Sequence, residues 1–315
     1  MKNKLFTLFF ALVASVTMAR AEIISGTCGA QGDNLTWEFN TETGVLTISG
    51  TGEMADYTDY NYTDNTVSNP WSSYRSSITS VVIMDGVTSI GEAAFYHCSS
   101  LTSVTIPYSV TYIRMNVFAG CTDLTSIEIP NSVTSIGATA FYKCKSLITV
   151  TIPNSVTSIG SGTFMYCSGL TSVTIPNSLT SIEWGTFCGC SSLISVTIPN
   201  SVTYIGQEAF TDCYSLTSVT CLATAPPQMG TSEWNEVVFQ NLDCSQIPLY
   251  VPAGSIDAYK AADQWKDFIN ILPIGQGIDQ ITNNQLPMTN KVIRDGQIYI
   301  LHGDMIFNAS GMRVK

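Results

Sequence analysis

Residues 101–215 write one 23-residue unit five times without an insertion. Pro107, Pro130, Pro153, Pro176 and Pro199 keep the period. So do Phe118, Phe141, Phe164, Phe187 and Phe210, and Cys121, Cys144, Cys167, Cys190 and Cys213. An earlier copy spans residues 78–100, with Phe95 and Cys98 in register and Met84 in the place of the proline, and a partial copy starts at Leu216. A unit this short cannot bury its own apolar face, so a fixed period of this kind implies a solenoid in which neighbouring units share one core.

One copy shows how. In residues 147–169 the apolar Leu147, Val150 and Ile152 fall in a short alternating stretch, which reads as a strand with one buried face. Pro153 removes a backbone donor and ends that strand, and Pro153-Asn154 suits the middle of a turn. Val156 and Ile159 give a second short apolar edge, and Phe164 and Cys167 return to the interior. Gly160 lies after that edge, but Arg114 and Glu183 take the same place in other copies, so a left-handed backbone is not required there. Stacked at about 4.8 Å per coil, six full copies and the partial one predict a parallel sheet on the order of 30 Å long. Two columns face outward on the long strand: Ser103, Ser126, Thr149, Ser172, Ser195 and Ser218, and Thr105, Glu128, Thr151, Thr174, Thr197 and Thr220. Glu128 reads there as surface variation.

The motif Ser-Val-Thr-Ile-Pro-Asn-Ser-Val-Thr-Ser-Ile-Gly, followed by Phe, Cys and Leu at fixed places, resembles the BspA-like leucine-rich repeats of bacterial surface proteins. The resemblance covers about half of the chain. It implies a curved or nearly straight β-rich leucine-rich repeat solenoid with an interaction role. The motif fixes no binding residues, so none follows from it. The run from Leu249 to Phe268 is similar to the degenerate closing unit of the same family.

The ends are read differently. Residues 1–21 have the form of a signal peptide, with Lys2 and Lys4 first, an apolar stretch from Leu5 to Val16, and Ala19-Arg20-Ala21 before Glu22. The apolar run is shorter than the ~20 residues of a membrane span. Removing Lys2, Lys4 and Arg20 takes the 13 basic residues to 10 against 24 acidic ones, a net charge of −14. That charge argues against nucleic acid and anionic membranes as partners, and no membrane insertion is expected after the signal is removed. Only 12% of residues are charged, and Ser and Thr abound, so the surface is hydroxyl-rich.

Ten cysteines in an exported chain would ordinarily suggest disulfides. Here Cys98 and the five that follow it stand in one inward column. Parallel side chains about 4.8 Å apart miss the ~3.5–4.5 Å Cβ separation of a disulfide. They read as buried free thiols. A row also lacks the tetrahedral convergence zinc requires. Cys221 takes an inward isoleucine place, and Cys28 and Cys244 belong to opposite ends.

Residues 22–77 read as an N-terminal cap. Residues 34–39 and 45–49 form a β-hairpin over the first coil, with Leu35, Trp37, Phe39, Leu46 and Ile48 inward. A long loop, 54–74, carries Tyr57, Tyr60, Tyr62, Trp71 and Tyr74 among Asp, Asn and Thr. Two readings stand: a contact loop for glycan or peptide, or a cap loop that packs its own aromatics. The solenoid is expected over 78–222 and a degenerate C-terminal capping repeat over 223–274, with strands at 247–251 and 268–274 and a helix capped by Ser255. A polar linker, 275–290, and a short β tail, 291–315, follow. That tail looks like those of exported proteins from anaerobes, or is a small β appendage.

No catalytic constellation is legible. His97 and His302 have no partner that the sequence places beside them, no phosphate-cradling glycine loop is apparent, and acidic pairs such as Glu42 with Glu53 have no spacing that argues a glycosidase. Catalytic, cofactor and metal residues are therefore assigned to none. The expectation is an exported, non-catalytic protein at the cell surface or outside a Gram-negative bacterium, with the periplasm as the alternative place. It would mediate protein–protein or cell adhesion interactions, or else capture surface glycans or peptides. Its partner would be a host or bacterial surface protein or glycan. The candidate binding residues are an aromatic rim, Tyr57, Tyr60, Tyr62, Trp71, Tyr108, Tyr112, Trp184 and Tyr204, chosen because hot spots favour such side chains.

Overall fold

The computed structural model describes residues 22–61, 66–231, 237–275, 290–294, 297–302 and 305–308. The signal-like segment and most of the linker lie outside them. The chain forms a β-solenoid of about 8 turns with parallel sheets and little helix.

The hairpin of the cap is present, with one more strand than expected. β1 (Ile23–Gly29), β2 (Gly32–Asn40) and β3 (Val45–Gly50) are antiparallel neighbours. β3 then pairs in parallel with Ser80–Ile83, the long strand of the first coil, and that strand pairs with Ser103–Thr105. The hairpin thus extends the solenoid sheet as well as covering its end. Leu35, Trp37, Phe39, Leu46 and Ile48 are all buried beneath it.

The long-strand side is segmented. The first sheet ends at Ser103–Thr105, a second joins Thr149–Thr151 to Ser172–Thr174, and a third begins at Ser195–Ile198 and continues through Ser218–Cys221, Leu249–Val251 and Ile271–Pro273. One continuous sheet was expected. The coil between the first two segments contributes only an isolated bridge from Ser126 to Thr149. Proline ends the strand after a few residues in each of these coils, which leaves few ladder bonds to hold register. Backbone bonds just before the strand join these coils. Asp123 donates to the Ser99 carbonyl at 3.2 Å, Ile148 to that of Thr125 at 3.1 Å, and Ile194 to that of Thr171 at 3.2 Å.

Two further walls close each coil. Short second strands, from Val87–Ile90 through Tyr112–Ile113 and Ser135–Ile136 to Ser158–Ile159, pair in parallel. On the third wall each phenylalanine N–H reaches forward to the next coil, as from Phe118 to the Ala140 carbonyl at 2.8 Å. This wall needs two left-handed residues per coil. One column is Ala93, Asn116, Thr139, Gly162, Gly185 and Glu208, and the other is His97, Gly120, Lys143, Tyr166, Gly189 and Asp212. Residue type does not betray these positions, because most are not glycine. Thr139, a β-branched residue at φ 53°, has its hydroxyl donating to Asn116 Oδ1.

The core is a ladder of stacked rings. Phe95, Phe118, Phe141, Phe164, Phe187 and Phe210 follow one another at 5.3–5.7 Å between centroids. Trp71 stacks on its first member and Phe239 on its last, and Phe268 then closes it edge-on. Beside the ladder, each thiol of Cys121, Cys144, Cys167, Cys190 and Cys213 donates to the phenylalanine carbonyl of the preceding coil at 3.0–3.3 Å. The cysteines of the described residues are all free, and burial pushes the Cys98 thiol up to about 12. Such thiols are poor nucleophiles.

At the C-terminal end the helix α1 (Ile256–Ala261) follows Ser255, but the Ser255 hydroxyl does not cap it. It donates instead to the Thr224 carbonyl at 2.7 Å, because Ser255 is buried against the preceding loop. Tyr259 and Trp265 are buried here, and Trp265 Nε1 donates to the Pro227 carbonyl at 2.8 Å. The tail strands Asn290–Arg294, Gln297–His302 and Met305–Asn308 form an antiparallel sheet of their own.

Candidate binding groove

The eight rim residues do not form one surface. Trp71 is 0% exposed and Tyr57 9%. Trp71 Nε1 donates to the Ala94 carbonyl at 2.7 Å, its ring stacks on Phe95, and Trp37 and Tyr57 meet it edge-on. In this position Trp71 heads the ring ladder, and neither it nor Tyr57 has surface to offer a partner. The cap-packing alternative describes both. The side chains of Tyr60 and Tyr62 lie outside the described residues. Tyr108, Tyr112, Trp184 and Tyr204 are 71%, 52%, 39% and 38% exposed. Tyr112 and Tyr204 stand in the second-strand wall four coils apart, each paired with a serine of the preceding coil. Tyr108 stands elsewhere, in the column that carries asparagine after each proline.

That asparagine column borders an open concavity. A groove of about 720 Å³ runs across three coils on the long-strand side. Its floor carries Ser126, Glu128, Thr149, Thr151 and Thr174, and its wall carries Asn131, Asn154 and Asn177, each after a proline, with Tyr108 at one end. It lies over the coil whose long strand makes only an isolated bridge. Glu128 is the one ionisable carboxylate among the lining residues.

The repeats beneath the groove match a known family. The family model of the BspA type leucine-rich repeat region matches six copies, over residues 71–183 and 111–227. The chain belongs to the BspA-type leucine-rich repeat proteins through this region. Among solved structures, a leucine-rich repeat protein of T. pallidum is 28% identical and covers 57% of this chain and 86% of its own, at a TM-score of 0.45. One from Bacteroides ovatus is 24% identical, covers 77% and 66%, and gives 0.48. A leucine-rich cell surface protein of Faecalibacterium prausnitzii is 19% identical, covers 84% and 99%, and gives 0.34. No curated protein matches this chain.

Within the leucine-rich repeats, polar side chains divide into two populations. Thr102, Thr171 and Thr217 donate to carbonyls of the preceding coil at 3.0–3.1 Å. Thr111 and Thr134 do the same on the second wall at 3.2 Å. The side chains of Glu128, Asn131, Thr149, Thr151, Asn154, Thr174 and Asn177 make no hydrogen bond within the protein. Their donors and acceptors are free for a ligand. Sequence reading passed over the asparagines as turn residues and over Glu128 as variation. The available signal was the exact repetition of Asn after Pro, and a lone carboxylate among threonines.

Elsewhere the charges serve structure. Arg114 pairs with Glu53 at 2.9 Å and Asp56 at 3.2 Å, which ties the cap to the second coil. Half-burial, then Arg75 and Lys143, lower the pKa of His97, whose ring leans on Gly120. Among the described residues no three His, Cys, Asp or Glu side chains gather to hold a metal ion. No helix among them is long and apolar enough to cross a membrane.

Proposed function

We propose that this protein is an exported leucine-rich repeat binding module that holds a partner by non-catalytic contacts at the bacterial surface, in protein–protein or adhesion interactions. The observation that supports this most is the groove, a long open surface whose polar groups are left free by the fold. Solenoids of stacked repeats offer extended surfaces of this kind to partners. The signal-like segment 1–21 supports export, to the surface or outside of a Gram-negative cell or to its periplasm. An acidic mature chain favours neutral or basic partners over nucleic acid.

Capture of a glycan is the second reading. It is favoured by the lining itself, where hydroxyls and carboxamides are free while the apolar Ile127, Ile129, Ile152 and Ile175 are buried. Protein hot spots need apolar or aromatic anchors, and Tyr108 is the one exposed aromatic residue in the lining. Arrays of extracellular-matrix proteins, surface proteins and glycans, probed with the mature chain from Glu22 onward, test both readings. Retention on a member of either class is expected, and retention on none would end the proposal.

A further inference from the structure

The geometry points to the groove as a binding site for an uncharged polysaccharide chain lying along the solenoid axis. This rests on the glycan reading above. The Asn131, Asn154 and Asn177 carboxamides recur once per coil, at about 4.8 Å, and none is used inside the protein. Each carboxamide both donates and accepts, as does each hydroxyl of Thr151 and Thr174. A sugar hydroxyl also does both, so successive sugars can meet the same pair of groups on successive coils. An exposed Tyr108 ring at the end of the asparagine column offers an apolar face to a sugar ring.

Periodicity separates this ligand from a peptide. Same-face side chains of an extended peptide recur every ~6.8 Å, two residues at a time. Laid along the axis, a peptide loses step with the coils almost at once. Hexoses in an extended chain advance by roughly one coil each. Charge selects within the glycans. Glu128 lies in the floor without a cationic partner, and the mature chain is acidic overall. Both repel polyanionic sugars, whereas a carboxylate accepts hydrogen bonds readily from neutral sugar hydroxyls.

The test is affinity electrophoresis and calorimetry of the whole mature chain with four neutral polysaccharides, xylan, mannan, dextran and β-1,3-glucan, and with polygalacturonate as the acidic probe. At least one neutral polymer should bind and polygalacturonate should not. The Asn154→Ala/Asn177→Ala variant should weaken binding by about tenfold, the loss of two ordinary hydrogen bonds, with its melting temperature unchanged. Ile269→Ala, exposed and outside the groove, should bind as the parent does. The inference is overturned if no neutral polymer binds, if polygalacturonate binds instead, or if the asparagine variant binds undiminished. If the sugars fail but an arrayed protein binds, only the polysaccharide assignment falls. If neither class binds, the binding-module reading falls with it.

Discussion

Thr171 and Thr174 sit three residues apart in one coil, and the fold uses them in opposite ways. Thr171 donates its hydroxyl to the Ile148 carbonyl at 3.1 Å and helps to join two coils. Thr174 is exposed on the floor of the groove, and its hydroxyl makes no hydrogen bond within the protein. The same contrast runs through the whole solenoid. Phenylalanine, cysteine and one set of threonines hold the coils together, and a second set of threonines with the asparagines is left to solvent. Side-chain type does not separate the two sets. Their place on the coil does.

The contrast is sharpest between the ring ladder and the groove floor. Phe164→Ala should cost roughly 3–5 kcal/mol, as expected for truncating a fully buried aromatic, whereas Thr174→Ala should stay within about 0.5 kcal/mol. Chemical denaturation of the two variants measures both. Equal shifts would break the assignment of inner and outer columns.

A smaller loss is expected at Gly189. Its φ of 72° lies in the left-handed region, which the tyrosine, lysine and aspartate of the same column also enter, so an added side chain there bears some backbone strain. The larger obstacle is Tyr166, whose ring would lie 2.4 Å from an added Cβ. Gly189→Ala should destabilise by about 1–3 kcal/mol through overpacking, and Tyr166→Ala in the same chain should restore most of it. Failure of that rescue in thermal melts would show that the backbone was limiting.

Thr171→Val should cost about 0.5–1.5 kcal/mol, because it removes one hydrogen bond at nearly constant shape. Thr174→Val should leave stability unchanged and weaken binding once a ligand is in hand. Equal melting shifts in this pair would erase the distinction between the two populations.

The smallest effect concerns pH. His97 has a lowered pKa in the fold, so the unfolded chain binds the proton more readily. Stability should therefore fall as pH drops through the unfolded-state value near 6.5. His97→Gln should lose less melting temperature between pH 7.5 and 5.5 than the parent. An identical pH profile would mean that His97 titrates alike in both states.

The repeat alone determined much of this protein. A strict period with Phe, Cys, Leu and Pro at fixed places forces stacking, because each copy exposes an apolar edge that only another copy can cover. The inward columns, the free thiols and the cap hairpin follow from that, and each could be named residue by residue. Tertiary structure decided the rest. Trp71 is surface-like by composition, set among Asp, Asn and Tyr, yet it heads the ring ladder because an end coil needs a lid of matching shape. The left-handed columns escaped notice because inter-coil backbone bonds, not glycine, hold most of those residues there. The two fates of threonine were equally hidden: the sequence repeats both columns alike, and only the stacking sets one hydroxyl against a carbonyl while its neighbour faces open water.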